Sequence, residues 1–190
     1  VGTSLFQIIF VTANVTLLQS VQTQTVDFLL AGTLLFGAVI GAQIGGAVKN
    51  VLAIACGIVV GRNLGENARA ALISRGLAEI IRLGKAKGAK IETLMGLSGI
   101  GDLALTCTAM QSRNYSLGVA LGKGNNLNKF LAKRRAVTEG VDSALSVKTL
   151  ATKLDIEMPI CNAVYNIVSQ SVEITEIINE LLNRPIKNEY

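Results

Sequence analysis

The sequence contains no histidine. That absence removes Ser-His-Asp and Cys-His nucleophilic arrangements and every zinc site that needs an imidazole. Cysteine is scarce too. Cys56, Cys107 and Cys161 are odd in number and far apart, so neither a disulfide framework nor a metal knuckle is suggested, and a reducing cytoplasm is the simplest home. Charge is almost missing from the first third: Asp27 and Lys49 are the only charged residues among the first 61, and the other 29 follow. Residues 1–26 carry no basic stretch and no recognisable cleavage site, so a secretory signal is not expected. Neither a Walker A sequence nor G-x-G-x-x-G between a strand and a helix occurs, which argues against a self-contained nucleotide-binding domain.

What is present is apolar. Half of the 190 residues are hydrophobic and 16% are charged, enough for one substantial core or for one domain with a piece of another. The net charge of +5 is scattered after Arg62, a distribution that suits a small anion as readily as nucleic acid. "LFQIIFV" (residues 5–11) reads as a short buried strand, and "TANVTLLQSVQ" after it as a short amphipathic helix. Residues 28–48 are uncharged throughout, long enough to cross a bilayer, and Gly37, Gly41 and Gly45 recur at the spacing of close-packed membrane helices. The apolarity continues through residues 50–61, as it would in a helix buried on all sides of a soluble core, where Gly45, Gly46 and Ala47 would admit neighbouring backbone or a ligand.

The rest has helical spacing. Asn63 and Glu66 stand at capping-box distance before an apolar stripe of Leu72, Ile73, Leu77 and Ile80, and Gly88 ends that helix. Residues 138–154 form a second helical pattern, Pro159 marks the start of a third, and "SVEITEIINELLNR" a last one. The expected fold is mainly α, an all-helical domain over residues 38–190 with a short β/α remnant over residues 1–37.

Four features carry candidate chemistry. "GLSGIGD" has the order G-x-x-G-x-G and reads as a dinucleotide-like loop or, more simply, as a turn between helices. "QSRN" puts a hydroxyl, a guanidinium and a carboxamide in succession, either an oxyanion site or a solvated helix end. "KFLAKRRAVTEG" has four basic residues but no aromatic ladder for stacking bases, so nucleic-acid binding is not expected. Lys49 is the sharpest single residue. It could snorkel to water, pair with an acid, or sit partly desolvated in a narrow cleft as a general acid and base, with Asp102 a candidate partner.

Taken in order, "IGAQIGGAVKNVLAIACGIVVGRNLGENARAALISRGLAEIIRLG", "GLSGIGDLALTCTAMQSRNYSLG", "AVTEGVDSA" and "EMPICNAVY" resemble the C-terminal domain of bacterial NAD(P)-dependent glycerol-3-phosphate dehydrogenase over roughly residues 38–183. The ordered set GGAxKN, GxGDLxxTCT, SRN and VTEG is far more specific than any one piece. The resemblance implies hydride transfer between NAD or NADP and the pair dihydroxyacetone phosphate and sn-glycerol 3-phosphate, in a cytoplasmic enzyme feeding phospholipid synthesis. It implies that Lys49 protonates the carbonyl oxygen and that Asp102 lies in the substrate site. Ser112, Arg113 and Asn114 would hold the phosphate end, and Arg113, Val137 and Glu139 would contact the cofactor. No metal and no membrane span are implied.

The family's glycine-rich dinucleotide loop and a second substrate-site lysine have no counterpart here, and residues 5–37 look like the tail of a Rossmann domain. The resemblance therefore implies a fragment with little activity by itself, completed by a separate Rossmann half or acting as a non-catalytic regulatory piece. Apolar surface left uncovered would favour self-association. A small membrane protein spanning at residues 28–48 is the rival from another class.

Overall fold

A computed structural model describes residues 36–132 and 139–183. The strand and helix expected within residues 5–21, and Val137, lie outside the described residues. So does most of the basic run before Glu139. Among the described residues there is no strand.

The molecule is built on one long apolar helix, α1 (Phe36–Gly61). It is long and apolar enough to cross a membrane, yet 67% of its most apolar stretch is buried within the fold. Val48, Val51, Leu52, Ala53, Ile54 and Cys56 are fully buried, so the hydrophobicity is that of a core helix covered by its neighbours. α1 ends where Asn63 adopts a left-handed conformation (φ 55°) and Gly65 (φ 92°) precedes α2 (Glu66–Ala86). This corrects the capping-box reading: Gly65 occupies the cap position and no side chain caps α2, because Asn63 is engaged in the preceding turn. At the far end Gly88 (φ 77°) turns the chain away, as the sequence predicts. Along α2, Ile80 is buried and Leu72, Ile73 and Leu77 are half-buried against the core.

The "GLSGIGD" segment is helical, not an open loop. α3 (Ile91–Met95) leads through a π-helical turn (Leu97–Gly101) into α4 (Asp102–Thr106). α5 (Arg113–Gly122) and α6 (Leu127–Ala132) follow, then α7 (Glu139–Lys153), α8 (Pro159–Ser169) with Pro159 in its first turn, and α9 (Ile174–Leu182). α8 packs against α7, α9 and α2.

Two fastenings fix this arrangement. The first is a seam between α1 and α5 in which glycine meets glycine. A methyl placed on Gly57 would stand 2.2 Å from the Tyr115 carbonyl oxygen, and one on Gly118 would stand 2.1 Å from that of Ile54. Gly61 and Gly122 repeat the contact one turn on, so the two backbones touch with no side chain between them. The second is Glu79 of α2, which is buried and accepts the backbone N–H groups of Ile160 (2.7 Å) and Cys161 (3.1 Å). It satisfies orphan donors at the start of α8 in place of a local cap. Burial pushes its carboxyl above the usual range, while the two amide bonds pull the other way. The three cysteines are buried free thiols. The thiol of Cys107 is pushed up by its contact with Cys56 and by burial, and that of Cys161 chiefly by burial.

Candidate functional site

Lys49 and Asn50 occupy the stretch of α1 where the helix leaves the core; both are half-buried. The Lys49 ammonium donates to Asp102 Oδ2 at the first residue of α4. The other carboxylate oxygen accepts from Thr106 Oγ1 at 3.3 Å, one turn further along α4. Asp102 is thus held from two sides, and it aims the ammonium. The Lys49 side chain is 23% and that of Asp102 38% exposed, so the pair lies at the edge of the fold.

Ser112 is the N-cap of α5, its Oγ accepting from the Tyr115 N–H at 3.3 Å. "QSRN" is therefore a helix start, and its next two residues reach toward α7. Arg113 Nη2 lies 3.5 Å from Glu139 Oε1, and Glu139 Oε2 accepts from Asn50 Nδ2 at 3.4 Å. Asn114 is buried, and its Oδ1 accepts the Gly140 N–H at 2.9 Å. The structure brings Lys49 and Asp102 into direct contact and links Arg113 and Asn114 to the same turn of α1 through Glu139, Gly140 and Asn50.

Burial grades across the cluster. Asn114 is enclosed, whereas the side chains of Arg113 and Glu139 are 51% and 66% exposed. An ion pair so exposed is worth about 1 kcal/mol or less, so an incoming anion can draw the guanidinium away at little cost. The arrangement offers an oriented ammonium, a half-exposed guanidinium and a buried carboxamide for an anionic ligand. Thr106 and Asn50 are contacts that the sequence reading did not single out. Both carried a signal: Thr106 follows Asp102 by four residues, one helical turn, and Asn50 adjoins Lys49.

Residues 38–179 match the family model for the NAD-dependent glycerol-3-phosphate dehydrogenase C-terminus. The chain is 60% identical over 151 residues to glycerol-3-phosphate dehydrogenase [NAD(P)+] of Rhodospirillum rubrum, covering 80% of this chain and 43% of that protein. It is 52% identical over 173 residues to that of Hyphomonas neptunium, covering 91% and 50%. The crystal structure of glycerol-3-phosphate dehydrogenase from Coxiella burnetii superposes with a TM-score of 0.74 at 47% identity, covering 76% of this chain and 45% of that one. The chain spans about half the length, or less, of the relatives it matches. With three quarters of its length inside the family model, the chain belongs to the NAD-dependent glycerol-3-phosphate dehydrogenase C-terminal family.

Proposed function

We propose that this chain is the substrate-holding part of a cytoplasmic glycerol-3-phosphate dehydrogenase, and that it binds dihydroxyacetone phosphate and sn-glycerol 3-phosphate around Lys49. The observation that carries the reading is the Lys49–Asp102 contact on the same turn of α1 that ties in Arg113 and Asn114. Lys49 gives a proton from Nζ to the carbonyl oxygen when dihydroxyacetone phosphate is reduced and recovers it from the hydroxyl in the reverse direction. Asp102, braced by Thr106, keeps the ammonium in line. Arg113 and Asn114 take the phosphate end with charged and neutral donors, and Ser112 fixes the start of the helix that presents them.

NAD or NADP fits the rim of this site. The exposed Glu139 carboxylate is a suitable acceptor for a sugar hydroxyl, and the Arg113 guanidinium a suitable donor to an anionic or carbonyl oxygen. When bound, the nicotinamide supplies or removes the hydride. In this reading residues 38–190 form the substrate domain and residues 1–37 belong to a cofactor domain. The wider partners are a dinucleotide-binding half and a second copy of this chain. Val39, Leu97 and Leu105 leave apolar surface for such contacts.

The test grafts the chain onto the part of the Rhodospirillum rubrum relative that it does not span. The hybrid should oxidise NADPH in a manner dependent on dihydroxyacetone phosphate, and Lys49→Met should cut kcat by about a thousandfold, within the range for loss of a positioned proton donor. A folded hybrid without turnover, or one indifferent to Lys49→Met, would sink the assignment. The 190-residue chain alone should turn over at background rate while still binding sn-glycerol 3-phosphate.

A further inference from the structure

Gly140, in the first turn of α7, is buried in a space with no room for a side chain. A methyl there would stand 2.6 Å from Asn114 Oδ1, 2.8 Å from Ile54 Cδ1 and 2.9 Å from the Asn50 carbonyl oxygen. The Ile54 methyl could shift, but the Asn50 carbonyl belongs to the backbone of α1. The Gly140 N–H donates to Asn114 Oδ1 at 2.9 Å. A backbone N–H can only donate, so the Asn114 carboxamide must turn its oxygen toward Gly140. What remains to that side chain is its NH2 group, a donor, which is the polarity that a phosphate oxygen accepts. The residue before Gly140 is Glu139, already bonded to Asn50 and near Arg113. One close approach of α7 to α1 therefore sets two side chains.

We propose that Gly140 is a positioning residue of the phosphate site. Its N–H locks the Asn114 amide with the donors free for substrate, and its missing side chain lets α7 settle on α1 so that Glu139 reaches Asn50. The proposal rests on the phosphate-binding reading of Asn114 given above and adds what makes that side chain a donor.

The test follows amide exchange and sn-glycerol 3-phosphate binding by NMR on the 15N-labelled 190-residue chain. The Gly140 amide should be protected. Asn114→Ala should speed its exchange roughly tenfold, the mark of a lost local bond. Asn114→Asp, whose carboxylate still accepts, should restore protection yet weaken binding, because the donor is gone. Gly140→Ala should weaken binding roughly tenfold in the unsubstituted chain and hardly at all beside Asn114→Ala, as expected of two groups acting as one. Equal weakening in both backgrounds overturns the proposal, and so does a Gly140 amide whose exchange ignores Asn114. Should Gly140→Ala fail to fold, the two Asn114 variants decide the matter through exchange and binding. A chain that binds no sn-glycerol 3-phosphate while Gly140 exchange still follows Asn114 overturns the substrate reading and the phosphate role together, but upholds the latch itself.

Discussion

From Val51 to Val59 every residue of α1 is buried, whereas Phe36 is 69% and Val39 54% exposed near the start of the same helix. The buried half is clamped by backbone, with Gly57 and Gly61 against Gly118 and Gly122. The other half is covered on one side only: a methyl added at Gly41 would stand 3.2 Å from Thr93 Cγ2, whereas one at Gly46 would have nothing within 4 Å. Lys49 and Asn50 stand at the border. One helix thus supplies a fixed floor and a start that is covered on one side only, and the Lys49–Asp102 contact lies where one becomes the other.

Substitutions can break that contrast. The largest effect is expected from Gly118→Val, which drives carbon to 2.1 Å from the Ile54 carbonyl oxygen in the clamped half. Neither backbone can yield, so denaturant unfolding should show a loss of roughly 3 kcal/mol, or no cooperative fold at all. A fastening away from α1 separates this from a general loosening. Glu79→Ala leaves two buried amide donors at the start of α8 without their acceptor and should cost about 2 kcal/mol in the same measurement.

The same carboxyl makes stability depend on pH. Burial raises it in the folded chain, so the native state keeps that proton to higher pH than the unfolded state does. This contribution is complete below the ordinary carboxyl range and is lost as pH rises through the raised native value. Glu79→Gln should flatten that part of the profile; a profile identical to that of the unsubstituted chain would show that Glu79 does not set it.

At Gly46, on the uncovered side of the helix, the sign reverses. Gly46→Ala meets no neighbour and removes a flexible residue from a helix, so it should stabilise the chain by about 0.5–1 kcal/mol. A loss there would mean that this position is packed after all. The smallest effect belongs to the rim: Glu139→Gln should move stability by about 0.5 kcal/mol or less, because its pairing with Arg113 is largely solvated.

Much of this was legible beforehand, for reasons that differ by element. Pro159 and Gly88 mark helix ends through fixed backbone preferences, and they do so in the structure. Asp102 could be named as a partner for Lys49 from the chemistry of the pair, and its place on α4 brings it there. The glycine seam was not legible. The four-residue spacing occurs at Gly37, Gly41 and Gly45 as well as at Gly57 and Gly61, and spacing says nothing about which backbone lies opposite. Asn63 misled because an N-cap residue and a left-handed turn residue are drawn from the same small polar set. Glu79 carried an unread signal. It falls in line with Leu72, Gly76 and Leu83 on the inward face of α2, where an acid must find buried donors.

Where main chain rests directly on main chain, the spacing of what those two helices carry is a property of peptide geometry. Core side chains elsewhere can drift in size and shape, and the gauge between the lysine-bearing rod and the arginine-bearing one will not drift with them. Any ligand that spans that ammonium and that guanidinium meets a gap that mutation of ordinary side chains cannot easily stretch.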